Sequence, residues 1–288
     1  MTKMKPALGV LLVALFLTGP AAGQELDGTL KKIKTTGILT IGYLESAPPF
    51  SFPGPDKRPV GYSIELCLRA ASGVEKQLGL ERLKIEWVPV TAANRIDMVA
   101  EGKVDIECST TTASLSRQER VDFSLMTFVD GGGLLTKSDL KLGAIADLAD
   151  KRIAVIPGTT TETALQKFLK EEFVSVKYVP VKNHVEGLAA IEKGLAEAFA
   201  SDRGILIGLA ATSKDPKRFA LPSLLFSYEP YGFMVRRNDA AFRLAVNRAL
   251  AQLYRSGDIV PIYDRWFGGF GKPSPAILSM YLLNGLPE

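Results

Sequence analysis

Arg152-Ile153-Ala154-Val155-Ile156-Pro157-Gly158-Thr159-Thr160-Thr161-Glu162 decides how this chain folds. Ile153 to Ile156 is a short apolar run rich in β-branched residues, Pro157-Gly158 stops it, and from Thr160 the apolar residues Leu165, Phe168 and Leu169 recur at helical spacing. A buried strand, a tight turn and a helix N-terminus therefore follow one another within a dozen residues. The same rhythm extends in both directions. Upstream, strands are expected at 38–43, 83–88 and 104–107, with helices at 62–78 and 94–101 between and beside them. From 152 it restarts: strands at 152–156, 174–179 and 196–200 alternate with helices at 160–172, 184–193 and 203–211. Strands separated by helical stretches imply mostly parallel sheets flanked by helices, and two successive units imply two similar α/β lobes. The extended runs 128–135, with Gly131-Gly132-Gly133, and 231–235 read as crossovers between them, and a helical C-terminal segment from Asn238 returns to the first lobe. The expected division is a leader at 1–23, a first lobe from 24–132 and 234–288, and a second lobe at 133–233 that includes the crossovers. Because ligands in open α/β sheets sit outside the carboxyl ends of the strands, two facing lobes form a cleft, and glycines in the crossovers permit hinge bending.

The 288 residues carry 35 Lys and Arg against 31 Asp and Glu, with no run of five or six like charges. Nucleic acid is an unfavourable partner for such a surface. Lys3 and Lys5, the apolar run 7–17 and the small residues Ala21-Ala22-Gly23 form a secretory signal expected to be cut near Gly23. The run is too short to span a bilayer, which takes about 20 residues. Export makes the compartment oxidising, so Cys67 and Cys108, the two cysteines of the chain, are either bonded to each other or two buried thiols. With one distant His they lack the spacing of a metal site.

No Gly-x-Ser-x-Gly elbow, His-Glu-x-x-His pair, Walker loop or dinucleotide turn occurs, so no cofactor is expected and the common catalytic teams are missing. Polar residues gather instead where strands end and helices begin. Ser109-Thr110-Thr111-Thr112 follows a strand, Arg117 lies just beyond, Gly158 to Thr161 opens a helix, and Asp202 closes another strand. A helix N-terminus suits an anion, a guanidinium grips a carboxylate, and an aspartate accepts from an ammonium. Each also has a plainer role: Thr159 or Thr160 as an N-cap, Asp202 as a cap for the next helix, Arg117 in a surface ion pair among Arg120 and Asp122, and His184 as an exposed helix-start residue.

The strings Gly42-Tyr43-Leu44-Glu45-Ser46-Ala47-Pro48-Pro49-Phe50, Thr91-Ala92-Ala93-Asn94-Arg95-Ile96, Asp105-Ile106-Glu107-Cys108-Ser109-Thr110-Thr111-Thr112, Lys182-Asn183-His184, Ser201-Asp202 and Tyr231-Gly232-Phe233 resemble the family-3 solute-binding proteins of amino-acid ABC transporters. The resemblance covers nearly the whole chain after the leader, and is nearest to the glutamate/aspartate-binding branch. It implies a type II periplasmic-binding-protein clamshell that works as a periplasmic monomer, closes on a free amino acid and delivers it to a membrane permease. Arg117, Thr112 and the helix start at Thr160 then match the groups that hold the ligand α-carboxylate, and Thr110 and Asp202 those that accept from its ammonium. Arg95 and His184 match the groups aimed at a side-chain carboxylate. Where that branch has a second arginine, this chain has Leu44, and where relatives for cationic ligands have aromatics it has Ala47 and Ala92. The expected ligand is acidic first, neutral and polar second. The same resemblance includes exported dehydratases of the cyclohexadienyl type, for which Glu45 or His184 would be the general acid, and ligand-sensing modules.

Overall fold

A computed structural model describes Met1 and residues 26–140, 142 and 144–288; the expected leader, Met1 apart, lies outside them. In chain order the strands are β1 (Ile38–Leu44), β2 (Phe52–Pro53), β3 (Pro59–Val60), β4 (Lys84–Val90), β5 (Ile106–Glu107), β6 (Val121–Asp130), β7 (Gly132–Lys137), β8 (Arg152–Val155), β9 (Lys177–Pro180), β10 (Ala198–Asp202), β11 (Phe219–Ala220) and β12 (Glu229–Arg236). The helices are α1 (Gly28–Thr36), α2 (Tyr62–Leu78), α3 (Arg95–Ala100), α4 (Leu115–Gln118), α5 (Thr160–Glu171), α6 (His184–Glu192), α7 (Arg203–Thr212), α8 (Ala240–Ser256), α9 (Ile259–Phe267) and α10 (Pro275–Asn284).

Two five-stranded sheets result, ordered β4-β1-β5-β12-β6 and β11-β7-β10-β8-β9. The parallel pairs are those that helices connect: β1 with β4 and β5 in one sheet, β8 with β9 and β10 in the other. The antiparallel pairs involve β6 and β12 in the first sheet and β7 in the second. A strand arriving from the other lobe has no crossover helix to return it in the same direction, so it enters antiparallel. The chain changes sheets between Asp130 and Gly132, and again between Ala220 and Glu229. These two passages touch: a Cβ on Gly132 would stand 2.6 Å from both the Phe226 ring and Ser227 Oγ, and one on Gly131 2.8 Å from the Ser227 carbonyl oxygen. The glycines are thus required for close approach of the returning strand, beyond any freedom they give a hinge.

Two elements depart from the periodicity for local reasons. The strand expected at 104–107 shortens to β5: Val104 N–H turns back to the Met98 carbonyl at 3.0 Å, and Asp105, whose own N–H meets the Thr40 carbonyl at 2.9 Å, also fastens its carboxylate to the Thr40 N–H at 2.8 Å and to the Lys32 ammonium. The strand expected from 174 begins only at Lys177, because Phe173 adopts a left-handed φ of 57° and Val174 N–H closes the end of α5 on the Leu169 carbonyl at 2.9 Å.

The C-terminal helices pack on the first sheet. Tyr62 on α2 donates to the Thr127 carbonyl and meets the Tyr281 hydroxyl on α10, both at 2.9 Å, and Tyr254 on α8 donates to the Met126 carbonyl at 2.8 Å. Phe50, Phe128, Tyr231 and Phe267 form a buried aromatic knot beneath the crossovers, with Phe50 centroids 4.9 Å from Phe128 and 5.2 Å from Phe267. On the other lobe, a Cβ on Gly208 of α7 would stand 2.2 Å from the Pro48 carbonyl oxygen, so α7 lies directly on the loop after β1. Cys67 on α2 is bonded to Cys108 at the end of β5, with Cα atoms 6.0 Å apart, and closes a span of 41 residues. In the loop-entropy account such a closure stabilises by roughly 3–5 kcal/mol. The unfolded, unreduced protein should therefore show no thiol to a thiol-specific reagent, and reduction should lower the thermal midpoint; two titratable thiols would refute the bond.

Candidate functional site

Short backbone devices place each polar side chain at the seam of the two sheets. Thr91 N–H donates to Asn94 Oδ1 at 2.8 Å and Asn94 N–H to Thr91 Oγ1 at 3.2 Å, a local turn that sets Arg95 as the first residue of α3. Thr159 is the N-cap of α5: its hydroxyl accepts from Glu162 N–H at 3.1 Å, while the Glu162 carboxylate takes Gly158 N–H at 2.8 Å. Thr160 and Thr161 are consequently freed from capping, and as the first two residues of α5 their N–H groups have no intrahelical acceptor. Asn183 caps α6 in the same way through Glu186 N–H at 2.9 Å and sets His184 at the helix start. Asp202 occupies the N-cap position of α7 but makes no side-chain cap bond; it accepts from the hydroxyls of Thr161 and Tyr231.

Leu44, Ala92, Arg95, Thr110, Thr112, Ile156, Thr160, Thr161, His184, Asp202 and Ile205 line one pocket between the sheets. The structure thereby gathers Arg95, Thr110, Thr112, Thr160, His184 and Asp202; all are buried except Thr160, which is half-buried. Arg117 stands beside this pocket and is not part of its lining. The residue is 9% exposed and its guanidinium donates to the Thr112 carbonyl at 2.9 Å, whereas its neighbour Arg120 makes the exposed ion pair, with Asp97 at 2.6 Å. Arg95 Nη1 reaches only the Thr110 carbonyl, at 3.5 Å, and its Nε has no partner among the described residues. His184 Nδ1 lies 3.1 Å from Ser46 Oγ across the seam. Glu45 is exposed and lies off the pocket.

The electrostatics follow from burial. Removal from water and the positive charge of Arg95 push the His184 imidazole down to about 3, so it is neutral at physiological pH. Burial and the neighbouring carboxylates of Glu229 and Asp130 push Asp202 up to about 7, and Asp130, which accepts from Gly131 and Gly204 N–H at 2.8 Å, to about 6. Arg117 is lowered to about 10 by burial and then by Arg95. Glu107, fully buried, accepts from the hydroxyls of Ser109 and Thr111 and is raised by burial.

Three participants were not singled out by sequence reasoning. Glu229 accepts from the hydroxyls of Thr112 and Thr160, the Tyr231 hydroxyl donates to Asp202 and Asp130, and the Ser46 hydroxyl meets His184 Nδ1. For Glu229 and Tyr231 the available signal was an acidic residue two positions before a tyrosine at the start of the second crossover.

With two such lobes and a polar seam on view, the comparisons fall in one direction. The sequence pattern of the bacterial extracellular solute-binding proteins, family 3, matches residues 39–269. The chain belongs to that family. Among similar proteins, an L-glutamate/L-aspartate-binding protein of Pseudomonas aeruginosa is 39% identical over 261 residues, covering 90% of this chain and 86% of that one. A glutamate/aspartate import solute-binding protein of Escherichia coli is 34% identical over 91% of this chain and 88% of its own. Among solved structures, an ancestral amino acid-binding protein described as a precursor of cyclohexadienyl dehydratase is similar with a TM-score of 0.72 at 30% identity, covering 83% of this chain and all of that one. An ancestral arginine-binding protein bound to glutamine has a TM-score of 0.71 at 27% identity, over 81% of this chain and 98% of that one. Family membership and these folds agree with the two-lobe clamshell.

The raised Asp202 carboxyl has a sign that experiment can read. Its folded value of about 7 exceeds the unfolded value of about 3.9, so its contribution to stability is fully present below about 3.9 and is lost as pH rises through 7. Wild type should lose thermal stability relative to Asp202→Asn between pH 4 and pH 8; parallel pH profiles of the two proteins would refute this. By NMR the His184 imidazole should stay neutral from pH 8 to pH 5.

Proposed function

We propose that this chain is the periplasmic solute-binding component of an ABC importer, a monomer that captures a free acidic L-amino acid by closure of two lobes and presents it to a membrane permease. The lobes are residues 24–132 with 234–288, and 133–233 including the crossovers, after removal of a leader ending near Gly23; the opening residues of β12, from Glu229, are crossover residues that pair with β6 and so sit in the first sheet. The observation that carries the ligand class is Arg95: a residue 5% exposed, in the pocket lining, with Nε unpartnered among the described residues. Among the described residues Arg95 makes no salt bridge, the buried Glu107 carboxylate acting on it only through space; a buried cation without a hydrogen-bonded carboxylate is costly, and the side-chain carboxylate of glutamate or aspartate would supply one. Neutral His184 adds a hydrogen-bonding group to the same wall without a second charge. Asp202 offers an acceptor for the ammonium, joined by the Thr110 hydroxyl, and Arg117 with the N–H groups of Thr160 and Thr161 offers donors for the α-carboxylate, helped by Thr112, whose carbonyl oxygen holds the Arg117 guanidinium. The names of the Pseudomonas and Escherichia relatives support this reading. Leu44 and Ala92 shape the apolar wall for the aliphatic stem. Because Leu44 adds no charge there, glutamine remains the neutral competitor to test.

The relative described as a dehydratase precursor raises an eliminating enzyme on the same fold. The two acids such chemistry would use are poorly placed for it: Glu45 is exposed and off the pocket, and His184 is neutral far below physiological pH. We therefore read the cleft as binding without turnover.

A calorimetric panel of the refolded, ligand-stripped protein against the common amino acids and prephenate tests this. Glutamate or aspartate should bind, and prephenate should be neither bound tightly nor consumed; turnover of prephenate would replace the transporter reading. Arg95→Ala should weaken acidic ligands on the order of a hundredfold or more, since it strips a buried carboxylate of its partner, while glutamine changes far less. Arg117→Ala should abolish binding of all amino acids; normal affinity in that variant would overturn the assignment of the α-carboxylate.

A further inference from the structure

Glu229 begins β12, immediately after the second passage between the sheets, and is 1% exposed. Both of its oxygens are occupied. Oε1 accepts from Ser227 Oγ at 2.6 Å, and Oε2 accepts from Thr160 Oγ1 at 2.7 Å and from Thr112 Oγ1. Thr112 follows β5 of the first sheet and is bridged to Tyr231, whereas Thr160 opens α5, which packs on β10 of the second. The two hydroxyl oxygens lie 3.2 Å apart. One carboxylate oxygen thus joins the two lobes through the very threonines that line the pocket. A buried carboxylate needs donors in place of water, and charge-assisted bonds are about twice as strong as neutral ones. Each threonine has a single proton to give.

We propose that Glu229 is a latch residue of the binding cycle, the fixed acceptor on which Thr160 lands each time the lobes close, whichever amino acid they hold. This rests on the reading of the cleft as one that opens and closes around an amino acid. Two consequences follow from the geometry. Closure gains a contact that the ligand does not make, so part of the energy holding the clamshell shut is built into the protein and is indifferent to side-chain chemistry. And with both protons committed to Glu229, the Thr112 and Thr160 hydroxyl oxygens meet the ligand as acceptors, which leaves the α-carboxylate to Arg117 and the N–H groups that start α5. Glu229 therefore positions the threonines and slows ligand escape without touching the ligand.

The experiment uses Glu229→Gln, which keeps volume but removes the charge, with stopped-flow kinetics on L-glutamate and L-glutamine and small-angle scattering of the ligand-stripped protein. The dissociation rate should rise about five- to tenfold for whichever of the two amino acids binds, by the same factor for each if both bind, with association changed less than twofold. The radius of gyration of the ligand-stripped variant should exceed that of wild type. An unchanged dissociation rate in a folded variant, or a change in the preference between the two amino acids, overturns the latch. If wild type binds neither amino acid, the acidic-ligand reading has failed, and the scattering comparison still decides the latch: equal radii overturn it. Should Glu229→Gln fail to fold, Thr160→Val, which leaves Glu229 with Ser227 and Thr112, carries the same scattering test, and equal radii there overturn the proposal as well.

Discussion

Burying Arg95 and Arg117 with Glu107, Asp202 and Glu229 at the meeting of two sheets is the constraint on which the rest of the structure depends. Ionised groups taken out of water must find partners, and no single lobe provides them all. Glu107 is satisfied within the first lobe by the hydroxyls that follow β5, but Asp202 draws one donor from α5 and one from β12, and Glu229 draws on both sides of the seam. The run of hydroxyl residues from Ser109 to Thr112 and from Thr159 to Thr161 is explained by this need: short donors at strand ends and a helix start are what a crowded set of carboxylates requires. The cap at Thr159 matters because it releases its two successors for that task.

Charge also sets the tone of the pocket wall. Two guanidiniums face several carboxylates: burial and the neighbouring carboxylates raise Asp202 and Asp130 toward neutrality, whereas burial and the charge of Arg95 keep His184 uncharged. An amino acid brings one ammonium and at least one carboxylate, so it can enter such a seam with each of its charges opposed. The apolar residues Leu44, Ala92, Ile156 and Ile205 complete the lining and exclude water from those contacts.

Much of this architecture was readable before any coordinates. The alternation of apolar runs and helical periods located β1, β4, β8 and β10 with the helices α2, α3 and α5 to α7, and α2 emerges with the bounds its periodicity gave; α1 and the first part of β6 were not read, and the helical segment from Asn238 divides into α8 to α10. Strand ends and helix starts identified the residues that line the seam, because in α/β folds that is where the chain leaves a sheet. What the residue pattern could not convey was pairing across distance. The choice between Thr159 and Thr160 as cap depended on Glu162 folding back to Gly158, and whether Asp202 capped α7 depended on hydroxyls 29 and 41 residues away. Glu229 escaped notice because its partners lie 69 and 117 residues distant, and a glutamate opening a strand carries no local sign of burial. The two-residue strands β2, β3 and β11 lacked any periodic signal, being too short to show one.

The position of β12 between β5 and β6 has a consequence for how the chain is assembled. When the first half emerges, β5 and β6 cannot pair, for the strand that belongs between them is still about a hundred residues away in the chain. The first sheet must wait with a gap at its middle, exposing unpaired edges. The second lobe has no such debt to later sequence: β7 to β11 run continuously from Gly132 to Ala220. The inserted lobe is thus the part able to fold as soon as it is made, and the outer lobe closes around it last, once β12 slides into the vacant register and the C-terminal helices follow. High sequence separation of that final pairing makes it the slow step, which suits a chain that must stay unfolded long enough to be carried across a membrane.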